Sequence, residues 1–270
     1  MKKVNRMERR SFMKQASRPL ISALLDRTTA DEYIASCVQA SLDGADGMAI
    51  GLGSLKPEFR TREHLERIFA CVPRPFYVFF YRSDRWIPEN NQDEDARQKI
   101  LLTAADAGAA MIDVMGDLYD PSPMEITRKP AAVRRQKALI KKIHDKGAEV
   151  VISSHMPLFR TYEETLDHLQ SLAARGADLV KIVTSVDTPE ELADALRTTI
   201  LLKKTMKTPF IHLCNGKYAK FHRLMCPSLG TAMSFATVGY PLSPVPNQPR
   251  IQDLKTVIDT INRGAGPLEF

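Results

Sequence analysis

One short turn occurs four times in this chain. Gly44-Ala45-Asp46, Gly108-Ala109-Ala110, Gly147-Ala148-Glu149 and Gly176-Ala177-Asp178 each follow an amphipathic helical pattern and precede an apolar, β-rich run. Glycine just beyond the last helical residue takes the left-handed conformation that closes a helix. Its recurrence means that one helix-to-strand unit has been reused. Eight strand-like runs fit this punctuation, at 19–25, 47–52, 76–81, 110–115, 149–155, 179–185, 209–214 and 231–237. Helical patterns lie between them at about 29–43, 62–71, 94–107, 131–146, 162–175 and 188–206, with shorter ones near Phe221 and at 252–262. Thr188 precedes Pro189 as an N-cap with proline in the first turn. Strict alternation predicts a parallel sheet with crossover helices. Eight units in roughly 250 residues predict a closed (β/α)8 TIM barrel, class α/β, in a single domain. An open doubly wound sheet usually shows a glycine-rich turn after its first strand. Here Asp26-Arg27-Thr28-Thr29-Ala30 follows instead, which favours the barrel.

Charge separates the ends from the body. The net charge is +6, and residues 1–18 carry seven basic residues against Glu8 alone, so the other 31 basic and 31 acidic residues cancel. A neutral body argues against nucleic acid as a partner. The predicted division is a basic, mobile tail over 1–18, the barrel over 19–264 and a C-terminal tail over 265–270. Arg9-Arg10-Ser11-Phe12-Met13-Lys14 resembles a twin-arginine export motif. It lacks the apolar segment that should follow, and we expect a cytoplasmic protein. No apolar run approaches the ~18 residues of a membrane span. Cys37, Cys71, Cys214 and Cys226 form no C-x-x-C pair, which fits a reducing compartment.

A barrel places its chemistry at the C-terminal ends of its strands. Arg82, His155, Lys181, Arg223 and Gln248 fall there. Lys181 sits within Leu179-Val180-Lys181-Ile182-Val183. Turned into the barrel, its amine loses solvation and its pKa falls. A neutral amine attacks a ketone to give a Schiff base, and His155, one strand away, is placed to take the adjacent proton. Turned outward, Lys181 would be an ordinary solvated lysine. Two arginines near a lysine suit a small anionic ligand. His64, His144, His168, His212 and His222 show no metal-ligand spacing, and neither a metal nor a cofactor is expected. Asp113 and Asp117 could bind a cation, but nothing joins them. Cys214 reads as a buried, inert thiol.

Together these residues resemble type I 3-dehydroquinate dehydratase over about 19–262. The resemblance is carried by Val151-Ile152-Ser153-Ser154-His155, Gly176-Ala177-Asp178-Leu179-Val180-Lys181-Ile182, Phe80-Tyr81-Arg82-Ser83, Gly216-Lys217 with Arg223, and Pro246-Asn247-Gln248. It implies a cofactor-free barrel, often dimeric, of the shikimate pathway. Lys181 would form the Schiff base and His155 would shuttle protons. Arg223 and Gln248 would hold the substrate carboxylate, Arg82 would contact substrate, and Ser243 would match a serine of the closing loop. The departures are equally specific. The family's Glu-x-Arg on strand two becomes Ala49 and Gly51. Its strand-four glutamate, which orients the histidine, becomes Met115, and the residue after the histidine is Met156. The expected activity is dehydration of a β-hydroxy-ketone carboxylate, 3-dehydroquinate or a relative. The alternatives are a class I aldolase-like Schiff-base enzyme and a non-catalytic anion-binding homologue. The segment 83–93, with Trp86, reads as an exposed loop at the active face.

Overall fold

A computed structural model describes residues 11–13, 18–82, 93–239 and 247–263. Eight strands run β1 (Leu20–Leu25), β2 (Gly47–Gly51), β3 (Phe76–Phe79), β4 (Met111–Met115), β5 (Glu149–His155), β6 (Leu179–Ser185), β7 (Phe210–Asn215) and β8 (Met233–Ala236). The helices are α1 (Ala30–Leu42), α2 (Arg62–Ala70), α3 (Glu94–Ala107), α4 (Pro130–Asp145), α5 (Tyr162–Ala173), α6 (Pro189–Thr205), α7 (Ala219–Met225) and α8 (Ile251–Asn262). All strand pairs are parallel, in the order β7-β6-β5-β4-β3-β2-β1-β8. At the seam the Ala232 N–H donates to Phe210 O at 2.9 Å. The barrel is therefore nearly closed, as the alternation predicts.

The repeated turn does the work its glycines suggest. Gly44, Gly108, Gly147 and Gly176 have φ of 97°, 110°, 81° and 98°, which a side chain would strain. The opposite helix ends are fixed by capping boxes at Thr29/Glu32, Thr161/Glu164 and Thr188/Glu191, where side chain and backbone satisfy each other's donors.

Alternation along each strand sorts side chains into two layers. Ile21, Ile50, Val78, Ile112, Ile152 and Ile182 face the helices in the larger core. Ala49, Tyr77, Met111, Val151, Leu179 and Phe235 face inward and fill the barrel. Lys181, an even step from Leu179 and Val183, shares the inward face.

The mobile tail expected over residues 1–18 does not hold for Ser11–Met13. Phe12 is fully buried in the inner cluster. It occupies the space where a Gly47 side chain would stand. The inward Glu149 carboxylate accepts from the backbone N–H of Phe12 (3.0 Å) and Met13 (3.3 Å) and from the Ser11 hydroxyl. Arg18 pairs with Asp46 at 2.6 Å. One aromatic ring and one carboxylate thus anchor a segment whose charge alone suggests solvent. The segments 83–92 and 264–270, which contain Trp86 and the expected C-terminal tail, lie outside the described residues. Among the described residues no helix is long and apolar enough to cross a membrane.

Candidate active site

Lys181 points into the barrel and is buried. Its Nζ lies 3.0 Å from His155 Nε2 and 3.1 Å from the Tyr81 hydroxyl. Burial is the main force on the amine and lowers its pKa to about 8; Arg223 lowers it further, while Asp113 and Glu125 pull the other way. At pH 7 roughly a tenth of the amine is then neutral, against about 0.04% for an ordinary lysine.

The protons on its two neighbours are fixed from behind. Glu125 Oε2 lies 3.0 Å from His155 Nδ1 and accepts the His155 backbone N–H at 2.8 Å. A carboxylate only accepts, so Nδ1 carries the ring proton and Nε2 presents its lone pair to Lys181. Burial, then the nearby Lys181, lowers the His155 pKa against the upward pull of Glu125, so the imidazole stays neutral. Burial opposes the Glu125 charge, but its bonds to His155 prevail and hold its pKa below the usual value. On the other side, Asp113 accepts from the Tyr81 hydroxyl at 2.7 Å, from Ser153 Oγ at 2.6 Å and from Tyr77. The Tyr81 hydrogen is thereby committed to Asp113, and its oxygen accepts from Lys181. A neutral Lys181 thus donates both N–H groups and leaves its lone pair in the remaining tetrahedral direction.

Three of these residues were not singled out as catalytic in the sequence. Asp113 lies in the apolar run Met111–Met115 and is as anomalous there as Lys181 is on β6. Its neighbours are the hydroxyls of Tyr77, Tyr81 and Ser153. Tyr81 continues the inward alternation of Tyr77 and Phe79. Glu125 corrects a specific expectation. With Met115 in place of the family's glutamate, His155 was expected to lose the group that orients it. Glu125 supplies that carboxylate from the β4–α4 connection, with φ of +45°, rare for a non-glycine residue. Ser154 Oγ donates to its carbonyl at 2.6 Å, and its N–H donates to Ser122 O at 3.0 Å. A Cβ at Gly116 would collide with that carbonyl.

Arg223, from α7, is buried beside β7. It donates to Cys214 O (2.7 Å), Gln248 Oε1 (3.2 Å) and Asn215 Oδ1 (2.9 Å), all neutral acceptors. Among the described residues no carboxylate pairs with it. The two residues expected to hold a carboxylate are therefore joined around one buried charge. Ser243 lies outside the described residues. Arg82 is differently placed. Glu94 (2.6 Å) and Asp117 (3.0 Å) already offset its charge. With Met115, Asp117, Ser122 and Glu125 it lines a cavity of about 460 Å³.

Strand two shows what replaces the missing Glu-x-Arg. Ala49 is inward and fully buried. A side chain at Gly51 would meet the Phe79 ring at 2.9 Å, so the aromatic ring occupies that direction. Phe79 stacks on Tyr81 with centroids 5.0 Å apart. The carboxyl of Asp26 stands 3.5 Å from the same point, with burial raising its pKa. The wall opposite the polar strands β4–β7 is thus largely apolar, with one acid at its rim.

Folding also gathers His212, Cys214 and His222, whose ligand atoms lie within 4.8 Å of one another. Spacing along the chain hid this trio, because α7 brings His222 back over β7. It is of the donor type that holds a transition metal. The residues face the helices, away from Lys181. The Thr199 hydroxyl already lies 2.9 Å from His212 Nδ1 and 3.2 Å from His222 Nε2, and burial raises the Cys214 pKa to about 12.

Comparison with known proteins follows the same lines. A family model described as type I 3-dehydroquinase matches residues 22–265. The chain is 30% identical over 256 residues to a bifunctional 3-dehydroquinate dehydratase/shikimate dehydrogenase of Arabidopsis thaliana, covering 92% of this chain and 38% of that much longer relative. It is 25% identical over 247 residues to a 3-dehydroquinate dehydratase of Klebsiella pneumoniae, covering 90% of this chain and 92% of the relative. The crystal structure of 3-dehydroquinate dehydratase from Geobacillus kaustophilus shares the fold with a TM-score of 0.76 and 16% identity, over 92% of this chain and 93% of that one. A Clostridium difficile type I enzyme, solved with covalently modified comenic acid, superposes with the same TM-score and 16% identity over 92% and 94% of the two chains.

Proposed function

The chain belongs to the type I 3-dehydroquinase family, and on that premise we propose that it is a hydro-lyase acting through a Schiff base at Lys181. Its substrate is a β-hydroxy-ketone carrying a carboxylate, with 3-dehydroquinate the first compound to test. The observation that supports this most is the buried amine of Lys181, 3.0 Å from an imidazole nitrogen that presents a lone pair.

The neutral amine adds to the substrate ketone, and the carbinolamine loses water to leave an iminium. The iminium draws electrons from the neighbouring C–H, and His155 Nε2 takes that proton. The enamine electrons then expel the β-hydroxyl, which leaves as water with the proton returned by His155. Hydrolysis of the unsaturated iminium releases the product and restores Lys181. Arg223, with Gln248 and Asn215 holding it, offers the substrate carboxylate a buried cation whose desolvation no anion among the described residues offsets. Aldol cleavage would start from the same iminium; the family favours loss of water.

The test is incubation with 3-dehydroquinate and borohydride, followed by mass spectrometry. A reduced adduct on Lys181 together with turnover supports the proposal, and no adduct with any β-hydroxy-ketone overturns it. Lys181→Ala should abolish the adduct, whereas in His155→Ala an adduct should accumulate without product.

A further inference from the structure

The two hydrogen-bond acceptors around Lys181 have different fates once a Schiff base forms. The neutral amine has two N–H groups, enough for both Tyr81 and His155. An iminium nitrogen has only one. If that hydrogen stayed with His155, the Nε2 lone pair would be occupied when it is needed for the carbon proton. If it goes to Tyr81, His155 is free.

The surroundings favour Tyr81. Its hydrogen is held by Asp113 at 2.7 Å, so its oxygen remains an acceptor throughout. Asp113 places a carboxylate one hydroxyl away from the cation that Schiff-base formation fixes at Nζ. The other Asp113 oxygen is fastened by Ser153 at 2.6 Å. The Tyr81 ring is held too, stacked on Phe79 and edge-on to His155 with centroids 4.9 Å apart. We propose that Tyr81, with its proton secured by Asp113, holds the single N–H of the iminium and so releases His155 to act as base. Tyr81 is then a catalytic residue that touches the reacting nitrogen, and Asp113 is a positioning residue behind it. The proposal rests on the Schiff-base reading and assigns the proton traffic within it.

The test uses the full chain with 3-dehydroquinate in deuterated buffer. Borohydride trapping reports the adduct on Lys181, and NMR reports exchange of the proton beside the ketone. In the unaltered protein both should occur. Tyr81→Phe removes only the hydroxyl; it should still be trapped, with exchange slowed at least ~10-fold, a fall in kcat rather than a rise in KM. Asp113→Asn should move in the same direction, and it carries the test if Tyr81→Phe does not fold. Exchange within two- to three-fold of normal in a folded variant that forms the adduct overturns this assignment alone. An adduct without exchange in the unaltered protein overturns the role of His155 and this assignment with it. No adduct in the unaltered protein, with 3-dehydroquinate or with any other β-hydroxy-ketone, overturns the Schiff-base reading itself.

Discussion

Glu125 holds His155 from a backbone conformation that costs of order 1–3 kcal/mol for a non-glycine residue. Such strain persists where the surroundings impose it, here through Ser154, Ser122 and the bare face of Gly116. Glu125→Gln keeps the shape but gives Nδ1 a neutral partner; kcat should fall by about 10- to 100-fold in steady-state assays, with adduct formation preserved. The amine sets a second expectation. Only deprotonated Lys181 attacks a ketone, so kcat/KM should climb with pH to about 8 and then level off. A flat profile between pH 6 and 8 would contradict a nucleophile that titrates near 8. Lys181 and His155 were legible in the sequence because a charge in an apolar strand, and an imidazole at a strand end, violate the expected pattern. Asp113 violates it equally, but its partners become visible only when β3, β4 and β5 lie side by side. Nothing local marks Glu125, whose role depends on a loop returning ten residues after Met115.

At the level of elements, the β4–α4 connection is held to the barrel by Arg175. Its buried guanidinium donates to Gly116 O (2.6 Å), Gln136 Oε1 (2.6 Å) and Thr127 O (2.8 Å). The loop is thereby fixed at both ends, and Glu125 lies between them. Gly116→Ala puts a methyl group against the Glu125 carbonyl and the Ser154 hydroxyl. We expect it to cost roughly 1–3 kcal/mol of stability in denaturant unfolding. It should also lower kcat more than trapping at Lys181, because the displaced group serves His155 and not the amine. The strand and helix ranges themselves were readable to within a few residues, since periodicity and glycine turns are local. The exchange of a polar grip for Phe79 was readable only as an absence at Ala49 and Gly51; what fills the space comes from the neighbouring strand.

For the whole molecule, the count of eight units was enough to predict the barrel, because alternating parallel strands close most simply at that number. Its packing should make it sensitive to acid. His168 and His212 are buried and neutral, each with a pKa lowered to about 4, by desolvation first and, for His168, by nearby arginines as well. An unfolded chain takes up these protons near pH 6.5, the folded one only near 4. Between those values the unfolded state binds more protons, so stability falls as the pH falls through this window. Down to pH 5 the loss amounts to about 2 kcal/mol for each histidine, and urea midpoints at pH 7 and pH 5 should show it. His212→Gln should flatten part of that slope.

Phe12 sits at the floor of the barrel, at the ends of the strands opposite Lys181 and His155, within the stretch Arg9–Lys14 that resembles an export motif. Drawing Ser11–Met13 away from the barrel would pull an aromatic ring from its socket and strip Glu149 of these three donors. Emptying a socket of that size typically costs about 3–5 kcal/mol. Whatever grasps these residues therefore competes with the finished barrel for the same side chain.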